Sequence, residues 1–117
     1  MASLVCKILG PVFIAIGVVG FFTGHHLLMF GISGAHNIVH LASGAVALWA
    51  GFSSPKYAKT YCILFGLVYA AVTALGFINY PLAVSLLNLN QADNFLHLAI
   101  AAVCLGAGFT TKAGVKV

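Results

Sequence analysis

Four apolar runs occupy most of the chain, at about 4–22, 35–52, 61–80 and 92–110, and only Lys7 and Asp93 place a formal charge inside any of them. The whole sequence of 117 residues holds five lysines, no arginine and a single acid, Asp93. A soluble domain carries about a quarter charged residues, so a surface this poor in charge points to lipid as its solvent. Each run is long enough to cross the hydrocarbon core at ~1.5 Å per residue. Within lipid, uninterrupted helices keep every backbone group paired, whereas an open strand does not. Two shorter apolar stretches, 27–32 and 82–89, read as interfacial turns or short helices. The expected fold is therefore an all-α membrane protein, a four-transmembrane-helix bundle in a single domain over 1–117. No residues remain for a large extramembrane catalytic domain.

The net charge of +4 comes from scattered lysines, which do not form a phosphate-tracking patch, so nucleic acid is not an expected partner. Lys7 lies near the start of the first run, Lys56 and Lys59 lie between the second and third, and Lys112 and Lys116 follow the fourth. In a four-span chain all of these fall on one side, and the positive-inside rule makes that side, with both termini, cytoplasmic. A cleaved signal peptide is the rival reading of the first run, but that run has a counterpart later in the chain. Three cysteines without CxxC spacing give neither a disulfide framework nor a zinc knuckle. Cys6 and Cys62 are expected as free thiols near the cytoplasmic face and Cys104 as packing within the fourth span. Trp49 and Tyr57 suit the cytoplasmic interface and Tyr80 the outer one, while Tyr61 and Tyr69 could donate into the bundle.

The counterpart is an internal repeat. Residues 35–52 align with 92–109 at 11 of 18 identical positions, including Asn37/Asn94, His40/His97, Leu48/Leu105 and Ala50-Gly51-Phe52/Ala107-Gly108-Phe109. The first and third runs align one residue differently, through Gly10/Gly66, Val12/Val68, Ala15/Ala71, Gly20/Gly76 and Phe21/Phe77. Repeat one, about 4–52, and repeat two, about 61–110, are then tandem helical hairpins of the same orientation, a parallel pseudo-twofold repeat about the membrane normal. Gly17, Gly20, Ala47, Gly51, Gly106 and Gly108 permit close helix approach.

His36 and His40 are four apart and share one helix face, and Asp93 and His97 repeat that spacing. If both faces look inward, three imidazoles and one carboxylate converge near the outer ends of helices two and four, flanked by Asn37 and Asn94. Ser33 and Asn90, just upstream, read as helix N-caps. Ionisable residues inside a span are functional candidates by default. Four N/O ligands could hold zinc or another transition metal, with Asn37 and Asn94 as supporting residues. Alternatively His40 and His97 could be the axial ligands of haem b. The plainer reading is a polar clamp, in which Asp93 pairs with a protonated His36 or His97 and fixes helix register. His25-His26 in the outer loop reads as solvated, with metal contact as the alternative. One acid supplies no acid/base couple and no nucleophile–base pair is present, so catalysis is not expected.

The motifs Ala35-His36-Asn37-x-x-His40-Leu41 and Ala92-Asp93-Asn94-x-x-His97-Leu98 resemble those of a bacterial four-span membrane family known only as a domain of unknown function. The resemblance covers nearly the whole chain. It implies a bacterial inner-membrane or thylakoid protein with four helices, and no activity. The leading functional expectation is a small non-catalytic membrane protein, an accessory or assembly subunit of a larger complex or a homo-oligomer. Its expected partners are the lipid bilayer and other membrane subunits or copies of itself. The alternatives are a metal- or haem-binding module built on His36, His40, Asp93 and His97, and a small transporter or channel.

Overall fold

The computed structural model describes residues 1–24, the backbone of 26–27, and 30–111. His25, Lys112 and Lys116, together with the side chain of His26, lie outside the described residues. Among the described residues the elements are helices α1 (Ala2–Gly20), α2 (Gly34–Ser53), α3 (Pro55–Phe77), α4 (Pro81–Leu87) and α5 (Gln91–Thr110). Two short strands, β1 (His26–Leu27) and β2 (Phe30–Gly31), pair antiparallel between α1 and α2.

Local chemistry sets these limits. The Ser33 hydroxyl accepts the His36 backbone N–H at 3.1 Å and starts α2. Ser54 caps α3 in the same way through Tyr57 N–H at 3.2 Å, with Pro55 in the first helical position, where its missing N–H costs nothing. Hence α3 begins at Pro55 rather than at residue 61, and Lys56 and Lys59 ride on its first turns. Asn90 and Asp93 form a reciprocal capping box at the start of α5. At the other end of α5, Thr111 Oγ1 accepts the Ala2 backbone N–H at 3.0 Å, supplying a cap for α1.

Within the stretch 27–32, Leu27 and Phe30–Gly31 are extended as parts of β1 and β2, whereas 28–29 lie outside the described residues. Gly31 lies against the Asn88 carbonyl, where a Cβ would collide. Its N–H donates to Asp93 Oδ2 at 3.0 Å, and the Ile32 carbonyl accepts from Asn88 Nδ2 at 2.9 Å. Those tertiary bonds hold the chain extended. The stretch 82–89 does form a short helix, α4, which ends at Asn88 in the left-handed conformation (φ 53°).

α1 packs chiefly on α2, and α3 chiefly on α5. Close approach is set by glycine. A Cβ on Gly10 would strike Leu48, and one on Gly66 would strike Leu105; Gly20 lies on the Asn37 carboxamide and Gly76 on that of Asn94; Gly51 meets Cys6, and Gly108 meets Cys62. Leu4, Ile8, Val19, Ile38, Leu64, Leu67, Phe95 and Phe109 all point outward. The interior holds small residues with histidine, asparagine, serine, threonine and tyrosine. An apolar outside around a partly polar inside fits lipid, not water. α1, α3 and α5 are each long and apolar enough to cross a membrane. α2 has comparable length and carries His36, Asn37 and His40 in its first two turns. The long dimension of 41 Å matches a bilayer including its interfaces.

Candidate metal centre

The two inward faces bring three imidazoles together. His36 and His40 project from the first turns of α2 and His97 from the second turn of α5, all 3% exposed or less. One ligand nitrogen from each lies within 4.8 Å of the others. Ring centroids are 4.4 Å apart for His36–His40, 5.4 Å for His36–His97 and 6.3 Å for His40–His97.

The hydrogen bonding is lopsided. His36 Nδ1 lies 2.9 Å from the Leu87 carbonyl, which only accepts, so Nδ1 carries the proton and Nε2 presents a lone pair. Among the described residues, His36 Nε2 and both ring nitrogens of His40 and of His97 are buried without a hydrogen-bond partner. Leaving one such group unsatisfied costs about 1–3 kcal/mol, and buried polar groups in native proteins are overwhelmingly paired. Only one nitrogen of each ring can face a common point, so three of these five nitrogens converge there, one from each imidazole. A carbonyl behind a ligating imidazole is also the usual way to fix its tautomer and aim.

Asp93 is placed differently from the expected fourth ligand. Its Oδ2 accepts the N–H groups of Gly31 and Asn90, each at 3.0 Å. Since His97 has no hydrogen-bond partner and His36 turns its proton to Leu87, the clamp of Asp93 against either imidazole is not formed either. The carboxylate closes the end of α5 and ties it to the ribbon. Asn37 and Asn94 also depart from the expected supporting role. Their carboxamides lie on Gly20 and Gly76 of the neighbouring helices, a backbone approach suited to weak Cα–H···O contacts. Ser33 and Asn90 are caps as expected, and the Ser33 hydroxyl also donates to the Leu86 carbonyl at 2.7 Å.

Aromatic rings form one side of the cluster. Phe13 stacks on His40 at 5.5 Å and on Tyr69 at 5.5 Å, and Tyr69 packs against His97 at 5.5 Å. Tyr69 and Tyr61 both donate to Ser43, through Oγ and the carbonyl respectively, each at 3.0 Å. Phe13, Ser43 and the Leu87 carbonyl had no motif to announce them. Only proximity in the fold reveals their part. The three cysteines are free and buried, with Cys6 and Cys62 sulfurs 4.0 Å apart.

The model of a protein family described as Domain of unknown function (DUF4383) matches residues 4–110. No curated protein and no solved structure matches the chain.

Proposed function

The chain belongs to the DUF4383 family, whose description states no activity, and from the geometry of its site we propose an integral membrane module that holds a transition-metal ion on His36, His40 and His97. One observation carries the reading: five ring nitrogens in three fully buried imidazoles lack a hydrogen-bond partner while their ligand atoms cluster within 4.8 Å. Imidazoles at ~2.0–2.1 Å from Zn²⁺ stand ~3.4 Å apart in a tetrahedral set, a contraction that side-chain rotation supplies. Zinc and copper suit all-imidazole ligation. Three protein ligands leave a fourth position open for an exogenous ligand. Haem b fits less well, because a porphyrin between His40 and His97 would need the space in which His36 stands.

In this reading α1, α2, α3 and α5 are the four spans, arranged as two tandem hairpins. The paired contacts support the repeat: Gly20 on Asn37 beside Gly76 on Asn94, Gly10 on Leu48 beside Gly66 on Leu105, and Gly51 on Cys6 beside Gly108 on Cys62. Lys7, Lys56 and Lys59 belong to the cytoplasmic end, and the metal sits toward the outer face of a bacterial inner or thylakoid membrane. The accessory-subunit or self-associating reading stands second, favoured by Gly106 on α5, whose Cα faces open space. Cross-linking in native membranes tests it.

The deciding experiment is metal analysis of protein purified in detergent without chelator and then offered Zn²⁺ or Cu²⁺. The expected result is an equimolar metal that is lost in His40→Ala and in His97→Ala. A helical wild-type protein that takes up neither ion overturns the proposal.

A further inference from the structure

At the end of the bundle opposite the histidines, a cleft of about 210 Å³ opens between α1 and the α2–α3 junction, lined by Ser3, Lys7, Gly51, Phe52, Ser53, Ser54 and Pro55. That is room for several times the ~30 Å³ share of one water. We propose that this cleft binds the phosphodiester headgroup of an anionic glycerophospholipid. The inference rests on the membrane placement proposed above and is independent of the metal.

Charge comes first. Lys7 has no acid to answer it, since the chain's single acid, Asp93, caps α5 at the far end. Its ammonium is held 4.9 Å above the Phe52 ring, which lines the same cleft. The ammonium keeps donors to give. Ser3, 8% exposed, lines the cleft, and its hydroxyl makes no hydrogen bond among the described residues, so its O–H is free to donate. Ser54 accepts from Tyr57 N–H, and its own O–H remains to donate. The first turn of the 23-residue α3 opens here; Pro55 has no N–H and those of Tyr57 and Ala58 donate to Ser54, which leaves the Lys56 N–H and the positive end of the helix dipole. One cation, two hydroxyl donors and a helix start match the two non-bridging oxygens of a phosphodiester.

The surroundings choose lipid over free phosphate. Leu4 and Ile8 flank Lys7 on α1 and are more than half exposed, as is Phe52. They lay hydrocarbon surface beside the charge, where acyl chains run. Trp49 and Tyr57, with rings 5.0 Å apart, lie at the same end and are about half exposed. Amphipathic rings of this kind mark headgroup depth, and basic pockets between helices at that depth take anionic headgroups.

The chain's single tryptophan, Trp49, gives the readout. Protein is reconstituted into phosphatidylcholine vesicles, and brominated phosphatidylglycerol or brominated phosphatidylcholine is exchanged in while Trp49 fluorescence is followed. Phosphatidylglycerol should quench with a relative affinity on the order of fivefold higher. Lys7→Gln should bring that ratio to about one, and Ser3→Ala should lower it. Lys56→Gln should leave most of it. Circular dichroism and metal content should be unchanged in Lys7→Gln. Equal quenching by both lipids in the wild type overturns the proposal, as does a ratio in Lys7→Gln equal to that of the wild type. Loss of the preference on adding millimolar inorganic phosphate at constant ionic strength assigns the cleft to a free anion and also overturns it.

Discussion

His36 and Leu87, 51 positions apart in sequence, are joined by a 2.9 Å hydrogen bond from the imidazole Nδ1–H to the backbone carbonyl. The last residue of α4 thereby aims a histidine of α2. Next to it, Ser33 donates to Leu86, and Asn88 donates to Ile32. The short helix that covers the cluster is thus part of how the cluster is oriented.

Asn88 is the residue through which this coupling can be tested. It holds a left-handed backbone (φ 53°) and donates to Ile32. Asn88→Ala should cost about 1–2 kcal/mol from backbone strain and the lost bond. Loosening an outer partner should also weaken metal binding by roughly 10–100-fold. Competition with a chelator of known affinity measures the second effect, and denaturant unfolding in detergent the first.

Asp93 separates capping from ligation. Asp93→Asn keeps one acceptor for the Gly31 and Asn90 N–H groups and should destabilise by about 1–2 kcal/mol with metal content unchanged. Asp93→Leu leaves both donors without their acceptor and should cost more. Loss of metal in Asp93→Asn as complete as in His97→Ala would make the carboxylate a ligand after all.

Two glycines test the duplicated packing. A Cβ at Gly20 or at Gly76 would run into the carboxamide of Asn37 or Asn94. Each alanine variant should lose roughly 1–3 kcal/mol by overpacking, and by similar amounts if the two helix pairs are equivalent. Unfolding midpoints measured side by side give the comparison; a neutral substitution at either position contradicts the close approach.

Acid should release the metal. Histidines that hold a metal do so as neutral imidazoles, so protons compete for the same lone pairs and affinity falls as pH falls. Occupancy measured by dialysis against buffered zinc should therefore be highest near pH 7.5 and decline as the buffer is made progressively more acid. Unchanged affinity would point to ligands that do not titrate there.

The helices were legible because the apolar runs are long and their ends carry readable chemistry: Ser33, Ser54-Pro55 and Asn90. The three histidines were legible from four-residue spacing and from alignment of the two halves. Asp93 was misplaced because its match to His36 suggested a shared role, whereas Asn90-x-x-Asp93 is itself a capping-box spacing. The ribbon was not legible. Its conformation is imposed by Asp93 and Asn88, which lie more than fifty positions downstream, and no local pattern in 26–31 encodes that. Nor could spacing reveal that Phe13 and Tyr69 stand beside the histidines, since their helices meet only in the folded bundle.

The bonds crossing from Gly31, Ile32, Ser33 and His36 to residues 86–93 also bear on how the protein is made. The chain emerges from the ribosome in order, so α1 and α2 are made before those partners exist. Until residue 93 has been synthesised, the end of α2 that starts at Ser33 holds donors, and Ile32 an acceptor, with nothing opposite them. A nascent chain stalled after α3 would carry that unfinished end within reach of lipid. Biogenesis therefore has a late completion step, at which α4 and the start of α5 close over the earlier half.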